Sequence, residues 1–264
     1  MAPGLRSTDG KPAAMPLSQG PYTTDQQHFS DQAELDNINR YVLEEYFSQA
    51  PGINADLAST TESVNTPVNK HFEIKGTGGT SALATFSTTL GALTLTTDTS
   101  SADQMIVAPH LDTKQTAWTG ILWGTENQVN WEAVVRTGAS IADITLWAGL
   151  KLTDTETIIT DADQVYFRFD STDDTNWNVI SSIGGTDIAT DSNVVVAADT
   201  TYHFKVKIAS DRTATIFIDN NKIFTTAALT DDVSFIPYIG VQTDTTAGKV
   251  INVVKEKISR IIFE

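Results

Sequence analysis

The sequence predicts an all-β protein, an antiparallel sandwich preceded by an extended N-terminal arm and one amphipathic helix. Three observations carry that expectation. From about residue 70 onward, apolar residues recur with period two in many short runs. Gly, Asp, Asn and Thr punctuate those runs at the spacing of turns. Ahead of residue 50 the period-two pattern is missing, and the only regular spacing there is helical.

In chain order, residues 1–30 are rich in Gly, Pro, Ser, Thr and Gln, and Arg6 and Lys11 offset Asp9 and Asp25. Such a segment cannot bury enough surface to fold alone, so it reads as an arm ordered by a partner. Residues 31–50 read as a helix. Ser30 and Asp31 are candidate N-caps with Glu34 placed for a capping box, and Pro51-Gly52 ends the element. Its apolar stripe is Leu35, Ile38, Val42 and Tyr46, broadened by Tyr41 and Phe47. That stripe either packs on the chain's own sandwich or docks a neighbouring subunit. Residues 51–69 are a polar linker, and 70–264 hold the strands.

Within the sandwich the clearest strand is VYFRFD, with Val165, Phe167 and Phe169 on one face and Tyr166, Arg168 and Asp170 on the other. In TYHFKVKI, Tyr202, Phe204, Val206 and Ile208 face inward, and His203, Lys205 and Lys207 outward. TATIFIDNNKIF forms a hairpin around Asp219-Asn220-Asn221, residues that tolerate the left-handed backbone such turns need. Further strands are expected near 72–75, 83–86, 92–96, 104–108, 129–135, 143–152, 177–183, 186–190, 193–196, 235–241, 250–254 and 258–263.

An ordered set of pieces then stands out. An aromatic strand ends in an acidic turn, Phe167 to Asp174, and Asn176-Trp177 opens the next strand. A Gly184-Gly185 hairpin follows, then an apolar run ending in a turn, Val194 to Thr200, the YHFKVKI strand, the TIFIDNNKI hairpin and a closing strand, Lys257 to Phe263. This set resembles the concanavalin A-like, laminin G-like jelly-roll domains of tailed-phage virion proteins, over roughly residues 70–264 and most strongly over 130–264. The resemblance implies a jelly-roll fold and a virion structural role in capsid decoration, head attachment or a fibre. It implies other capsid proteins and copies of itself as partners, in a closed homo-oligomer assembled in a host cytoplasm and residing in the virion. The arm and the helix lie outside the family pattern.

No catalytic constellation is visible. Hydrolases of this sandwich superfamily carry acids spaced as E-x-D-x-x-E, which sets two carboxylates on one strand face. Here Glu73, Glu126, Glu132, Glu156 and Glu256 are each isolated. The chain has no Cys, and His28, His71, His110 and His203 follow no triad or ligand spacing. Gly76-Thr77-Gly78-Gly79 sits between strands and is no phosphate cradle. The expectation is a protein that is not an enzyme and that carries no cofactor, apart from calcium in the loop Asp170, Asp173, Asp174 and Asn176. The plainer reading of that loop is an Asx turn.

Five Trp raise a carbohydrate alternative, a lectin-like fibre or surface module for host glycans. Trp131 and Trp177 fall in phase with core residues, which leaves Trp118, Trp123 and Trp147 as candidates for a sugar rim. A formal charge of −16 disfavours nucleic acid. No stretch approaches the length of a membrane-spanning helix, and Met1 to Gly10 lacks the pattern of a secretory leader.

Overall fold

The computed structural model describes residues 39–47, 56–57, 72–77, 79–80, 84–109, 122–152 and 161–262. The arm, Leu35, Ile38 and Trp118, with most of the linker, lie outside them. The strands run β1 Arg40–Glu45, β2 Asp56–Leu57, β3 Phe72–Thr77, β4 Gly79–Thr80, β5 Ala84–Ser87, β6 Ala92–Thr96, β7 Gln104–Pro109, β8 Trp123–Gly124 and β9 Asn130–Thr137. They continue as β10 Ile144–Lys151, β11 Gln164–Asp170, β12 Asn176–Ile183, β13 Thr186–Val195, β14 Thr201–Ile208, β15 Thr213–Ile218, β16 Asn221–Ala228, β17 Ser234–Thr243 and β18 Val250–Ile261. A 3-10 turn lies at Thr125–Asn127.

The strands form two eight-stranded sheets and a small β2-β4 pair. The first sheet runs β16-β15-β14-β9-β18-β6-β5 with β1 beside β18, and the second β13-β12-β11-β10-β17-β7-β3 with β8 beside β17. Between them lies an aromatic core. Phe167 of the second sheet stacks on Phe204 of the first at 4.3 Å, and Trp177 meets Phe204 edge-on at 4.8 Å. Trp131 stacks on Phe167 at 6.5 Å, and Trp131 and Trp177 are fully buried, as their phase in the sequence predicts. Gly184 (φ +56°) and Gly185 (φ +81°) turn β12 into β13, and Asp219 (φ +50°) and Asn220 (φ +64°) turn β15 into β16.

The expected helix is corrected over its described part: Arg40–Glu45 is strand β1. Leu43 and Phe47 are its buried residues, whereas Tyr41 and Val42 are half-buried and Tyr46 is 57% exposed. The reason lies in β18. Only Val250–Val253 of this long strand pair with β6, so the rest of that edge would be left with unpaired backbone groups. β1 takes that place, and RYVLEE, with its β-branched and aromatic residues, suits it. Lys255 Nζ reaches Glu44 at 2.5 Å and lies 4.7 Å over the Tyr46 ring, and Lys257 reaches Glu44 at 3.8 Å. Phe47 packs edge-on against Phe72 at 5.2 Å.

The chain divides into a unit of Val42–Ile261 and a small one of residues 1–41 with 262–264. In the small unit, Ile262 N donates to Asn39 O at 2.8 Å.

On the outer face of the first sheet, Glu132 sits opposite Lys205 of β14 and Lys257 of β18. It pairs with Lys205, and His203 Nε2 lies 3.8 Å away. The nearby His203 imidazole and, against the cost of burial, the Lys205 ammonium hold the Glu132 carboxyl down to about 2. A carboxylate with a lowered folded pKa contributes stability above its unfolded value of 4.5, and loses it as pH falls toward 2. Glu132→Gln should therefore cost about 1 kcal/mol at neutral pH and flatten the acid limb of the unfolding curve over that window, as measured by urea titration.

Candidate functional site

Strand alternation gives the second sheet two faces. Leu146, Ala148 and Leu150 of β10 share the inner face with Val165, Phe167 and Phe169 of β11. The residues between them line the outer face in four cross-strand rows. Gln104, Gln242, Thr145 and Asp170 form the first, and Gly240, Trp147, Arg168 and Asn178 the second. Tyr238, Gly149, Tyr166 and Ile180 form the third, and Ile236, Lys151, Gln164 and Ser182 the fourth.

The middle of this face is apolar and aromatic. Ile106, Ala108, Trp147, Tyr166, Ile180 and Tyr238 make one buried cluster, with the rings of Trp147 and Tyr238 6.3 Å apart. Trp147 lies across Gly240, because a Cβ there would stand 2.6 Å from the indole. The two ends of the face are polar. At one end Lys151 and Asp161, both buried, approach to 3.8 Å, and the Lys151 ammonium lies 4.9 Å from the Tyr238 ring centre. Gln164 Nε2 donates to Ser182 Oγ at 3.1 Å, and Ser182 Oγ donates to Asp187. At the other, half-open end, Gln104 Nε2 donates to Gln242 Oε1 at 2.7 Å and Gln242 Nε2 to Asp244 at 2.9 Å. Arg168 there binds Asp170 at 2.5 Å and Asp173 at 3.2 Å.

Three buried polar atoms on this face have no partner: Trp147 Nε1, Tyr238 OH and Gln164 Oε1. Buried groups of this kind are normally hydrogen-bonded, and Trp177 Nε1 and Glu256 Oε2 in the core between the sheets lack a partner as well. Burial pushes the Tyr166 and Tyr238 phenols above their ordinary range, and both are neutral hydroxyls at physiological pH. Of the groups on this face, Gln104, Gln242, Arg168 and Asp170 at the half-open end are partly exposed, whereas the aromatic rings and Gln164 are buried.

The residues singled out from the sequence are distributed differently. Trp123 is buried where β8 pairs with β17, and Trp147 is buried in the outer cluster. The acidic loop is held by its own hydrogen bonds. Thr172 N and Oγ1 donate to Asp170 Oδ1, Thr175 N and Asn176 N to Asp174 Oδ1, and Asn178 Nδ2 to Asp174 Oδ2. Asn176 Nδ2 donates to Asp191, and Asp173 turns to Arg168. Although burial pushes the Asp170 carboxyl up, the Thr172 and Arg168 hydrogen bonds leave it below the usual range. Among the described residues, the three carboxylates close enough to share an ion are Glu126, Asp231 and Asp232, whose oxygens lie within 4.8 Å of one another. Arg212 already reaches Asp231 at 3.1 Å. Sequence reading passed over Lys151, Gln164, Tyr238 and Gln242. The available signal was alternation, since Tyr166, Arg168 and Asp170 share the face opposite Phe167, and Trp147 and Lys151 that opposite Leu146.

No protein-family model matches the chain, and no curated protein matches it by sequence. Solved structures do match its fold. A protein of unknown function from Shewanella oneidensis MR-1 superposes with TM-score 0.56 at 11% identity, over 93% of this chain and 97% of its own. Family 7 alginate lyase A1-II′ in complex with substrate superposes with TM-score 0.52 at 13% identity, over 71% and 85%. The carbohydrate recognition domain of Emp46p in its metal-free form gives 0.49 at 10% identity, over 76% and 94%. At these identities the first two likenesses establish the fold alone, an antiparallel two-sheet jelly-roll sandwich.

The expectation of a non-enzyme is corrected here. It rested on missing paired acids, which argues against one hydrolase arrangement, whereas the same sandwich also frames a polysaccharide lyase. The fold by itself therefore assigns neither catalysis nor its absence.

Proposed function

We propose that the chain is a carbohydrate-binding sandwich of a tailed-phage particle, attached through its N-terminal segment in the manner of a decoration or head protein. The observation that carries the binding reading is the outer face of the second sheet. Its half-open end sets the partly exposed Gln104, Gln242, Arg168 and Asp170 beside the buried aromatic cluster of Trp147, Tyr166 and Tyr238. The fold shared with a polysaccharide lyase supports the same ligand class.

The attachment reading rests on the resemblance of residues 130–264 to virion domains, and on how the chain enters the sandwich. β1 is fastened to β18 through Glu44, Tyr46, Lys255 and Lys257, and Ile262 binds Asn39. Residues 1–38 precede Asn39 and β1 in the chain and are the segment proposed as the tether.

The test has two arms. On a glycan array, Arg168→Ala or Gln242→Ala should lower retention several-fold, about 1 kcal/mol each. Unchanged retention would remove this face from the binding reading. In co-sedimentation with purified phage shells, the full chain should pellet and a variant lacking residues 1–38 should stay in solution. Equal pelleting would sink attachment through the N-terminal segment.

A further inference from the structure

Resting on the carbohydrate reading for the class of ligand but not for its place, we propose that the outer face of the first sheet binds acidic polysaccharides of the polyuronate type. Lys and Arg are scattered along the sequence, yet strand order gathers several of them here. One cross-strand row runs Lys222 of β16, Phe217 of β15, Lys205 of β14, Glu132 of β9 and Lys257 of β18. On one side of it lies the row Thr225, Thr215, Lys207, Asn130 and Ser259. On the other lie His203, Val134 and Lys255, with Arg136 beyond them.

Unlike the aromatic cluster of the second sheet, this face is accessible. Lys207 and Lys222 are exposed, and Phe217, Thr215 and Asn130 are half-buried. The side chains of Arg136, Lys205, Lys255 and Lys257 keep between 22% and 30% of their surface open. Carboxylates offset only part of the charge. Glu132 pairs with Lys205, Glu44 reaches both Lys255 and Lys257, and Asp199 reaches Arg136 at 3.4 Å. Asp211 and Asp219, at the two ends of β15, accept from Thr213 and from the backbone N–H of His203. The lysines and Arg136 therefore outnumber the carboxylates paired with them two to one, on a chain of net charge −16. A positive face on an otherwise acidic body directs an anionic ligand to that face and away from the rest.

The spacing suits a linear polymer. Lys222, Lys205 and Lys257 stand on alternate strands, about 10 Å apart, and Lys207 is about 7 Å along β14 from Lys205. A chain laid across the strands thus meets an ammonium group at each such step. Phe217 fills the gap between Lys222 and Lys205 and offers a ring on which the C–H face of a sugar can pack. Lys207 Nζ lies 6.0 Å from the centre of that ring, so a uronate seated there has a cation beside it for its carboxylate. Thr215, Thr225 and Asn130 in the neighbouring row donate and accept hydrogen bonds, as sugar hydroxyls require.

The experiment is a calorimetric titration of the full chain at low ionic strength with alginate and polygalacturonate. A β-glucan, a dextran and double-stranded DNA are titrated beside them. Both polyuronates should bind, and their affinity should fall as salt is raised. The double variant Lys207→Ala with Lys222→Ala removes two exposed side chains, so the sandwich is preserved, and it should weaken polyuronate binding about tenfold. Phe217→Ala should weaken it without changing the salt dependence, because it removes packing and no charge.

Polyuronate binding that the lysine variant leaves unchanged would overturn the assignment to this face. DNA bound as tightly as either polyuronate would overturn the carbohydrate specificity and make the face a general polyanion surface. A chain that binds a neutral glycan but no polyuronate would overturn the proposal and leave the carbohydrate reading standing. A chain of native circular dichroism that binds no glycan of either kind would overturn both.

Discussion

Glu256→Gln should make this protein more stable at pH 8 than the unmodified chain, and the gain should disappear near pH 4.5. Glu256 is fully buried between the two sheets on β18. One carboxyl oxygen accepts a hydrogen bond from Trp131 Nε1 at 2.9 Å, and the other has no partner. Burial pushes the carboxyl up to about 8 from an ordinary 4.5, with the Trp131 bond opposing only part of the shift. Between those two values the folded protein keeps a proton that the unfolded chain releases. Stability therefore falls as pH rises through the window, by about 1 kcal/mol per unit. A glutamine has the same shape, still accepts from Trp131 and does not titrate. Urea unfolding of both proteins at several pH values should show curves that diverge upward from pH 4.5, to a difference on the order of 4 kcal/mol at pH 8. Parallel curves would mean that Glu256 is ionised in the fold and balanced by a group the structure does not show.

Gly149→Ala should be strongly damaging to the second sheet, costing about 3 kcal/mol or more. Gly149 sits in β10 between Tyr238 and Tyr166 at φ +156°, a backbone angle that side chains rarely adopt. A Cβ there would stand 2.5 Å from Tyr166 Cα and 2.6 Å from Val165 O, atoms of the neighbouring strand's backbone that cannot swing aside. Relief would require β10 and β11 to separate where they support the aromatic face. Gly184→Ala is the control. Gly184 also has positive φ, +56°, but nothing lies within 4 Å of its added Cβ, so about 1 kcal/mol is expected from backbone strain alone. Thermal unfolding of both variants separates the two causes. Equal losses would show that the sheet yields at Gly149 and that the close approach to Tyr166 is not what requires a glycine.

Much of the sandwich was legible because a half-buried strand writes its own alternation. VYFRFD, TYHFKVKI and the Asp219-Asn220 hairpin could be read directly, since each needs only its own residues to define faces and turn. Two pairs of expected strands proved continuous. The runs 186–190 and 193–196 lie along β13, and 250–254 and 258–263 along β18, where register shifts break the alternation that a reader follows. The segment around Tyr41 and Val42 was misread for a different reason. RYVLEEYF fits a helical stripe and a strand alternation alike, and the open stretch of β18, more than two hundred residues later, decides between them.

The aromatic face was legible only as fragments. Alternation told that Tyr166 and Arg168 oppose Phe167, and that Trp147 opposes Leu146, but not that they share a surface with Tyr238 and Gln242. That requires the strand order β12-β11-β10-β17-β7, which joins residues 104 to 242 in one row. Burial at Glu256 is likewise silent in the sequence, because an isolated glutamate next to lysines reads as a surface residue.

By itself, then, the sequence determined the fold class, the two faces of most strands and the inner aromatic core, since these follow from local periodicity and the cost of exposing apolar side chains. Only the tertiary structure decided that Arg40–Glu45 is a strand, that Lys151 and Arg168 are each held by acids, and that one glutamate titrates inside the core. Those outcomes depend on which distant strand lies alongside, and therefore on long-range backbone pairing and desolvation that no local pattern records.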